Sequence, residues 1–360
     1  MADTYIQSAA AIEFRFPFPR DLSPDIEQAQ RHSVAWAREM GLATTSSALR
    51  ILEAWNWGRL TGHCLPTARG ENLDLATDWM TWGFLYDDQF AGPLGNQPEK
   101  VARITEDMIG VLYPMRGAQI DHGAARGITN ILERLTPKMS ASWMARFRDH
   151  LKWFFIGVLR MTTFRDRLDA IDTETAFEIR RFDIGMDAVI DLIEVAEGIE
   201  VPEALFGTTQ IQSLRQGVVD IVILQNDVFS LPKDRRQQEV NVVLAVERSE
   251  KRTAEEALVR AAAMVEEKVQ QFLAVKAQLP ALYSTLGLSA ADRSRLDRYV
   301  HCLELMIHGS VYSHAECVRY STKSEHTQPI AGKGFIEDLR MDASVDLALE
   351  LTRPTQRVTS

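Results

Sequence analysis

Asp220-Ile221-Val222-Ile223-Leu224-Gln225-Asn226-Asp227-Val228-Phe229-Ser230-Leu231-Pro232-Lys233-Asp234 is an apolar run that turns polar without losing its helical period. Asn226, Ser230 and Asp234 stand four residues apart, and positions so spaced share one stripe of a helix. Polar residues at this spacing ordinarily make a solvated face. Here Val219, Val222 and Ile223 precede them on or near the same face. The stripe therefore continues a buried surface and reads as a cavity wall. An amide oxygen, a hydroxyl and a carboxylate are hard ligands, suited to magnesium and poorly suited to zinc. Pro232 has no N–H, so the helix is expected to kink or end near Asp234.

Outward from this stretch the apolar residues keep the helical period, and no strand alternation or internal repeat appears. Ser23-Pro24-Asp25 opens a helix that runs to Met40 and stops at Gly41. Further helices are predicted over about 45–58, 72–90, 98–112, 120–135, 140–166, 173–197, 209–231, 253–278 and 289–321. Gly92-Pro93, Pro137, Pro202, Gly207 and Pro280 fall between them, while Gly185 sits inside one and marks a break. The predicted fold is all-α, a single-domain helical barrel or bundle of about ten or more helices. It would span residues 1–322, with 323–360 a partly flexible extension carrying a short helix near 335–351.

Composition narrows the function. With 360 residues, 46% of them apolar, the chain can bury a sizeable core. A net charge of −10 without a Lys/Arg-rich run argues against nucleic acid or an anionic membrane as partner. No signal peptide or transmembrane run is expected. Cys64, Cys302 and Cys317 show no metal-ligand spacing and suit a reducing cytoplasm. There is no G-x-S-x-G, phosphate loop, dinucleotide fingerprint or H-E-x-x-H. His301 and His308 share a helix face, and packing or solvent exposure accounts for them.

A second acidic element ends an aromatic-rich helix, Thr81-Trp82-Gly83-Phe84-Leu85-Tyr86-Asp87-Asp88-Gln89-Phe90. Two acids at a helix C-terminus oppose the macrodipole, which favours a bound cation there. Adjacent helical residues point about 100° apart, so only one carboxylate can lead. Asp87 continues the face of Met80 and Phe84 and is expected to lead. Asp183, Asp187 and Asp191 form another stripe, for which Asp187 and Asp191 are read as solvent-facing or structural.

Taken together, four elements resemble the bacterial class I terpene synthases. The first is a shortened aspartate-rich motif at Asp87-Asp88-Gln89-Phe90-Ala91, where Ala91 replaces the third acid. The second is a complete N-D-x-x-S-x-x-K-D at Asn226, Asp227, Ser230, Lys233 and Asp234. The others are Arg180-Arg181-Phe182-Asp183-Ile184-Gly185 and Arg319-Tyr320. The resemblance covers roughly Phe16 to Tyr320. It implies an α-helical barrel whose mouth holds three magnesium ions and a diphosphate. It assigns Asp87 to magnesium with Asp88 nearby, and Asn226, Ser230 and Asp234 to another magnesium. Arg180, Lys233, Arg319 and Tyr320 would bind diphosphate. Asp183 would link Arg180 to the backbone at Ile184, whose carbonyl faces the developing cation. Phe84, Trp79 and Tyr312 are candidate aromatic surfaces for that cation. Ser313 stands where many relatives have tryptophan, and neighbouring Tyr312 is expected to compensate.

The implied reaction is cyclisation of a linear isoprenyl diphosphate, farnesyl first and geranylgeranyl next. A chain-elongating isoprenyl diphosphate synthase would carry two D-D-x-x-D motifs instead. A non-catalytic helical binding protein would leave the four elements together unexplained. A homodimer is expected from the resemblance alone.

Overall fold

The structure is a computed structural model that describes residues 12–114, 120–320 and 341. Among these residues every regular element is helical. In chain order the α-helices are α1 (Ile26–Glu39), α2 (Ser46–Trp55), α3 (Trp57–Cys64), α4 (Gly70–Ala91) and α5 (Pro98–Leu112). They continue with α6 (Gly123–Leu135), α7 (Ala141–Phe164), α8 (Thr173–Asp183), α9 (Met186–Glu197) and α10 (Glu203–Phe206). The remainder are α11 (Thr209–Gln237), α12 (Val242–Ser249), α13 (Ala254–Lys276), α14 (Leu279–Thr285) and α15 (Ala290–Glu316). None is long and apolar enough to cross a membrane.

Two helices are buried around most of their circumference and form the heart of the fold. On α4 the buried set runs from Leu73 to Phe90, and on α11 from Ile211 to Asp234. A helix apolar all round must be enclosed by others. Accordingly α4 packs against α1, α3, α6 and α9, and α11 packs against α8, α9, α12, α13 and α15. Trp82 of α4 stacks on Trp79 at 5.2 Å and on Tyr86 at 5.1 Å, and the rings of Phe154 and Phe155 on α7 meet this column at an angle. Such ring arrangements fix the relative placement of two helices more tightly than aliphatic contact does.

Several predicted boundaries move for identifiable reasons. The helix expected over 45–58 divides at Asn56, which adopts φ 54° and caps α3 through its own side chain. The helix expected over 173–197 divides at Gly185, φ 67°, a left-handed position that glycine tolerates without a Cβ clash. Pro232 neither ends nor breaks α11, which runs on to Gln237. The turn that holds the proline is bridged from outside, because the Asn241 Nδ2 donates to both the Asp227 carbonyl and the Asp234 carboxylate, each at 2.8 Å. The last long helix stops at Glu316, and a 3₁₀ turn, Val318–Tyr320, carries Arg319 and Tyr320. The extension assigned to 323–360, with its helix near 335–351, lies outside the described residues except for Met341, which is buried in the core.

Candidate active site

A cavity of about 140 Å³ opens between α3, α4, α7, α8, α9, α11 and α15. Close-packed interiors leave few voids larger than a water molecule, so this is space kept for a ligand. Its depth is apolar, with Trp79, Met80, Phe84, Phe154, Val158, Val189 and Val222 in the wall. Its mouth is ionic, formed by Asp87, Arg180, Asn226, Ser230, Lys233, Asp234, Arg319 and Tyr320, and Asp183 and Ile184 line it at the helix break. Of the residues to which the resemblance gives a role, all except Asp88 and Tyr312 thus line one cavity.

The exceptions follow from helix geometry. Asp88 is turned about 100° from Asp87 and is buried against Arg319, whose Nη1 donates to Oδ2 at 2.5 Å while Nη2 donates to Oδ1. Tyr312 does not compensate for the small Ser313. Ser313 faces the cavity, whereas Tyr312 points elsewhere, under the Arg20 guanidinium at 3.3 Å and beside His63. Phe84 stacks face to face on Trp57 at 4.2 Å, and the Arg319 guanidinium lies 5.4 Å from its ring.

Arg180 holds the break and the second motif together. Its Nη1 donates to Asp183 at 2.7 Å, its Nε to Asp227 at 3.0 Å and its Nη2 to the Asn226 Oδ1 at 2.8 Å. The approach depends on Gly157 of α7, where a Cβ would stand 2.6 Å from the Asp183 nitrogen. Arg181, by contrast, turns away and pairs with Asp220. The Ser230 hydroxyl donates to Asp234 at 2.5 Å, and Lys233 donates to Glu239 at 3.3 Å. Asp227 completes the frame by accepting from the Val242 backbone N–H at 2.6 Å, at the start of α12.

Burial pushes Asp87 up to about 6, with Lys233 pulling the other way. It pushes Asp234 up to about 7, reinforced by Glu239 and Asp227. Asp183 rises to about 8 because burial outweighs its bond to Arg180. Glu239 is lowered; burial opposes its ionisation, but Lys233 and Arg165 prevail. His314 is buried down to about 4 and is neutral at physiological pH.

Among the described residues no group of three or more His, Cys, Asp or Glu could hold a metal. The available donors are instead a carboxylate on α4 and an amide, hydroxyl and carboxylate on α11. These fit an oxygen-loving cation that keeps positions for other ligands, as magnesium does. Two further features fit a cation and an anion at the mouth. The Asp183 Oδ1 is buried without a hydrogen-bond partner, as are the Nε atoms of Arg165 and Arg319.

Sequence reading missed four contributors. Arg165, just after α7, lines the cavity and donates to the Phe90 carbonyl at 2.5 Å. Glu239 lines it beside Lys233. Asn241 braces Asp234 and caps α12; an asparagine before Val-Val-Leu is a legible cap signal. His314 accepts from Asn226 at 3.0 Å, and no local pattern announces it.

A family model described as terpene synthase family 2, C-terminal metal binding, matches residues 78–271, from the first acidic element past the second. The chain belongs to terpene synthase family 2. It is 29% identical to pentalenene synthase of Streptomyces avermitilis over 91% of this chain and 98% of that one. It is likewise 29% identical to the (−)-β-caryophyllene synthase of Saccharothrix espanaensis, over 91% of this chain and 93% of that one. In three dimensions it is similar to wild-type cucumene synthase, with a TM-score of 0.75 and 26% identity over 84% of this chain and 100% of the other. As a terpene synthase of this family it is a lyase and a terpene cyclase that depends on a divalent metal.

Proposed function

We propose that the protein ionises farnesyl diphosphate and cyclises the fifteen-carbon cation, releasing diphosphate. The observation that carries this reading is the polarity of a single cavity, with an ionic mouth of oxygen donors and cations over an aromatic, apolar depth. The fifteen-carbon substrate is supported by a relative whose name describes it as cyclising (2E,6E)-farnesyl diphosphate.

Asp87 on one side and Asn226, Ser230 and Asp234 on the other would hold magnesium, three ions by resemblance. Bound magnesium supplies neutralisation of the charge that develops on the leaving diphosphate. Arg180, Lys233 and Arg319 donate hydrogen bonds to the same charge, and Tyr320 adds a phenolic donor. Asp183 steadies Arg180 beside the break. There Ile184 lines the cavity, and its partially negative carbonyl would face the cation, as the resemblance implies. Trp79, Phe84 and Phe154 enclose the chain, exclude water and offer π-faces to migrating charge. Residues 1–322 act as the catalytic unit and 323–360 as an extension. A cytoplasmic setting is supported by three free, buried cysteines. A homodimer is supported by resemblance alone, and light scattering tests it.

Incubation with the ten-, fifteen- and twenty-carbon diphosphates, with magnesium or with chelator, tests the reading by mass spectrometry of the extracts. A cyclic fifteen-carbon product that chelator abolishes is expected. A cyclic product from the twenty-carbon substrate alone would move the assignment to diterpenes. A longer linear diphosphate, or turnover without metal, would overturn it.

A further inference from the structure

The side-chain amide of Asn226 can serve a cation only if its oxygen, and not its nitrogen, faces the metal. The two ends of an asparagine amide are nearly isosteric, so the surrounding hydrogen bonds must choose between them. Two neighbours, Arg180 and His314, do so here. The Arg180 Nη2 lies 2.8 Å from Oδ1, and a guanidinium can only donate. The Tyr320 Oη accepts from Nδ2 at 3.1 Å, but a phenol can donate as well and so does not choose. The second that does choose is His314, whose Nε2 lies 3.0 Å from Nδ2.

His314 has a defined tautomer. Its Nδ1 lies 2.6 Å from the carbonyl oxygen of Ser310, one turn earlier on α15. A carbonyl can only accept, so Nδ1 carries the proton, and Nε2, facing the Nδ2 donor that the Arg180 contact assigns, presents a lone pair. The ring is held in place by stacking on Phe229 at 5.7 Å and by Tyr320 at 5.0 Å. A flipped Asn226 would set its N–H groups against the Arg180 N–H and its oxygen against the His314 lone pair.

We propose that His314 is a positioning residue, which fixes the Asn226 amide so that its oxygen faces the metal side of the cavity. It does so through the chain Ser310 carbonyl, His314 ring, Asn226 amide. Arg180 favours the same orientation from the oxygen side, and diphosphate competes for that guanidinium. When diphosphate draws Arg180 away, His314 keeps the amide from turning. The inference rests on the metal role proposed for Asn226, and the test separates the two.

Outer-layer partners of metal ligands typically change affinity about 10–100-fold when removed. His314→Phe keeps the ring shape and loses the acceptor. It should raise the magnesium concentration for half-maximal turnover about tenfold, with kcat at saturating magnesium changed by no more than about threefold. His314→Gln, whose carbonyl can accept, should recover part of the loss. In an Asn226→Asp background the further change His314→Phe should have no such effect, because a carboxylate presents oxygen at both ends. Calorimetry with magnesium and inorganic diphosphate should show the same ranking without catalysis. In the metal-free wild type, ¹⁵N NMR should find His314 protonated at Nδ1, a reading independent of every variant's folding. An Nε2-protonated ring, or an unchanged magnesium requirement in His314→Phe, overturns the His314 role. Metal-independent turnover by the wild type overturns the site reading instead.

Discussion

Two stripes of this protein look alike in sequence and end in opposite states. Asp183, Asp187 and Asp191 repeat at the same interval as Asn226, Ser230 and Asp234. Gly185 splits the first set, leaving Asp183 at the cavity and carrying Asp191 away on α9. There Asp191 is buried between His150 at 2.6 Å and Arg215 at 2.9 Å, with Arg146 at 3.6 Å. These partners overcome burial and hold its carboxyl below the ordinary range. Asp234 is as deeply enclosed, yet its hydrogen bonds are to a hydroxyl and an amide, its ion-pair partner Lys233 stands off at 3.9 Å, and its carboxyl is pushed up. A raised carboxyl alone does not mark the difference. Glu194 beside Asp191 also rises to about 7 through burial, while tied to Trp143, Arg146 and the Val201 N–H, away from the cavity wall. Incomplete neutralisation at a cavity wall, and not acidity or spacing, separates a site from a strut.

Exchanging the two acids gives the sharpest contrast. Asp234→Asn should lower turnover by about 10²–10³-fold, the scale of losing a charge-stabilising group, with little change in the urea midpoint. Asp191→Ala leaves buried cations unpaired and should cost about 3–5 kcal/mol of stability, while turnover per folded molecule holds within about threefold. The distinction collapses if Asp234→Asn unfolds the protein and Asp191→Ala silences it.

Titration separates the regions less drastically. Asp87 at about 6 and Asp234 at about 7 are both raised, so protons compete with a cation below those values. Magnesium affinity should therefore rise as pH increases from 6 to 8, by about tenfold, with proton release on binding. Calorimetry in two buffers of different ionisation enthalpy measures both quantities. Equal affinities at the two ends of the range would mean that these acids are already ionised without metal.

The smallest effect concerns the cavity's depth. Phe84→Ala removes a ring stacked on Trp57 and should redistribute cyclic products several-fold, while the magnesium requirement moves by no more than about twofold. Gas chromatography of the extracts decides it. An unchanged profile assigns Phe84 to the packing of α4 alone.

Much of this was legible because helices report their faces at short range. The 226–234 spacing and the Asp87/Asp88 choice both follow from about 3.6 residues per turn. What the sequence concealed depends on contacts between distant segments. Nothing local predicts that Asn241 braces the turn containing Pro232, or that His314 meets Asn226 from 88 residues away. Tyr312 failed as a substitute for tryptophan because a neighbour in sequence is not a neighbour on a helix face. Asn56 ended α2 through a left-handed backbone that its apolar surroundings mask.

The Asp88–Arg319 pair joins residues separated by 231 positions. Loop-closure entropy delays such contacts until the intervening helices have docked. During synthesis, the aspartate-bearing helix emerges long before its arginine. A nascent chain holding every residue through Glu316 possesses the oily chamber and most of its charged rim, yet not Arg319, the cation that Asp88 holds. Competence to ionise a substrate consequently waits for Arg319, after the walls that must shield the reactive carbon from water are already standing.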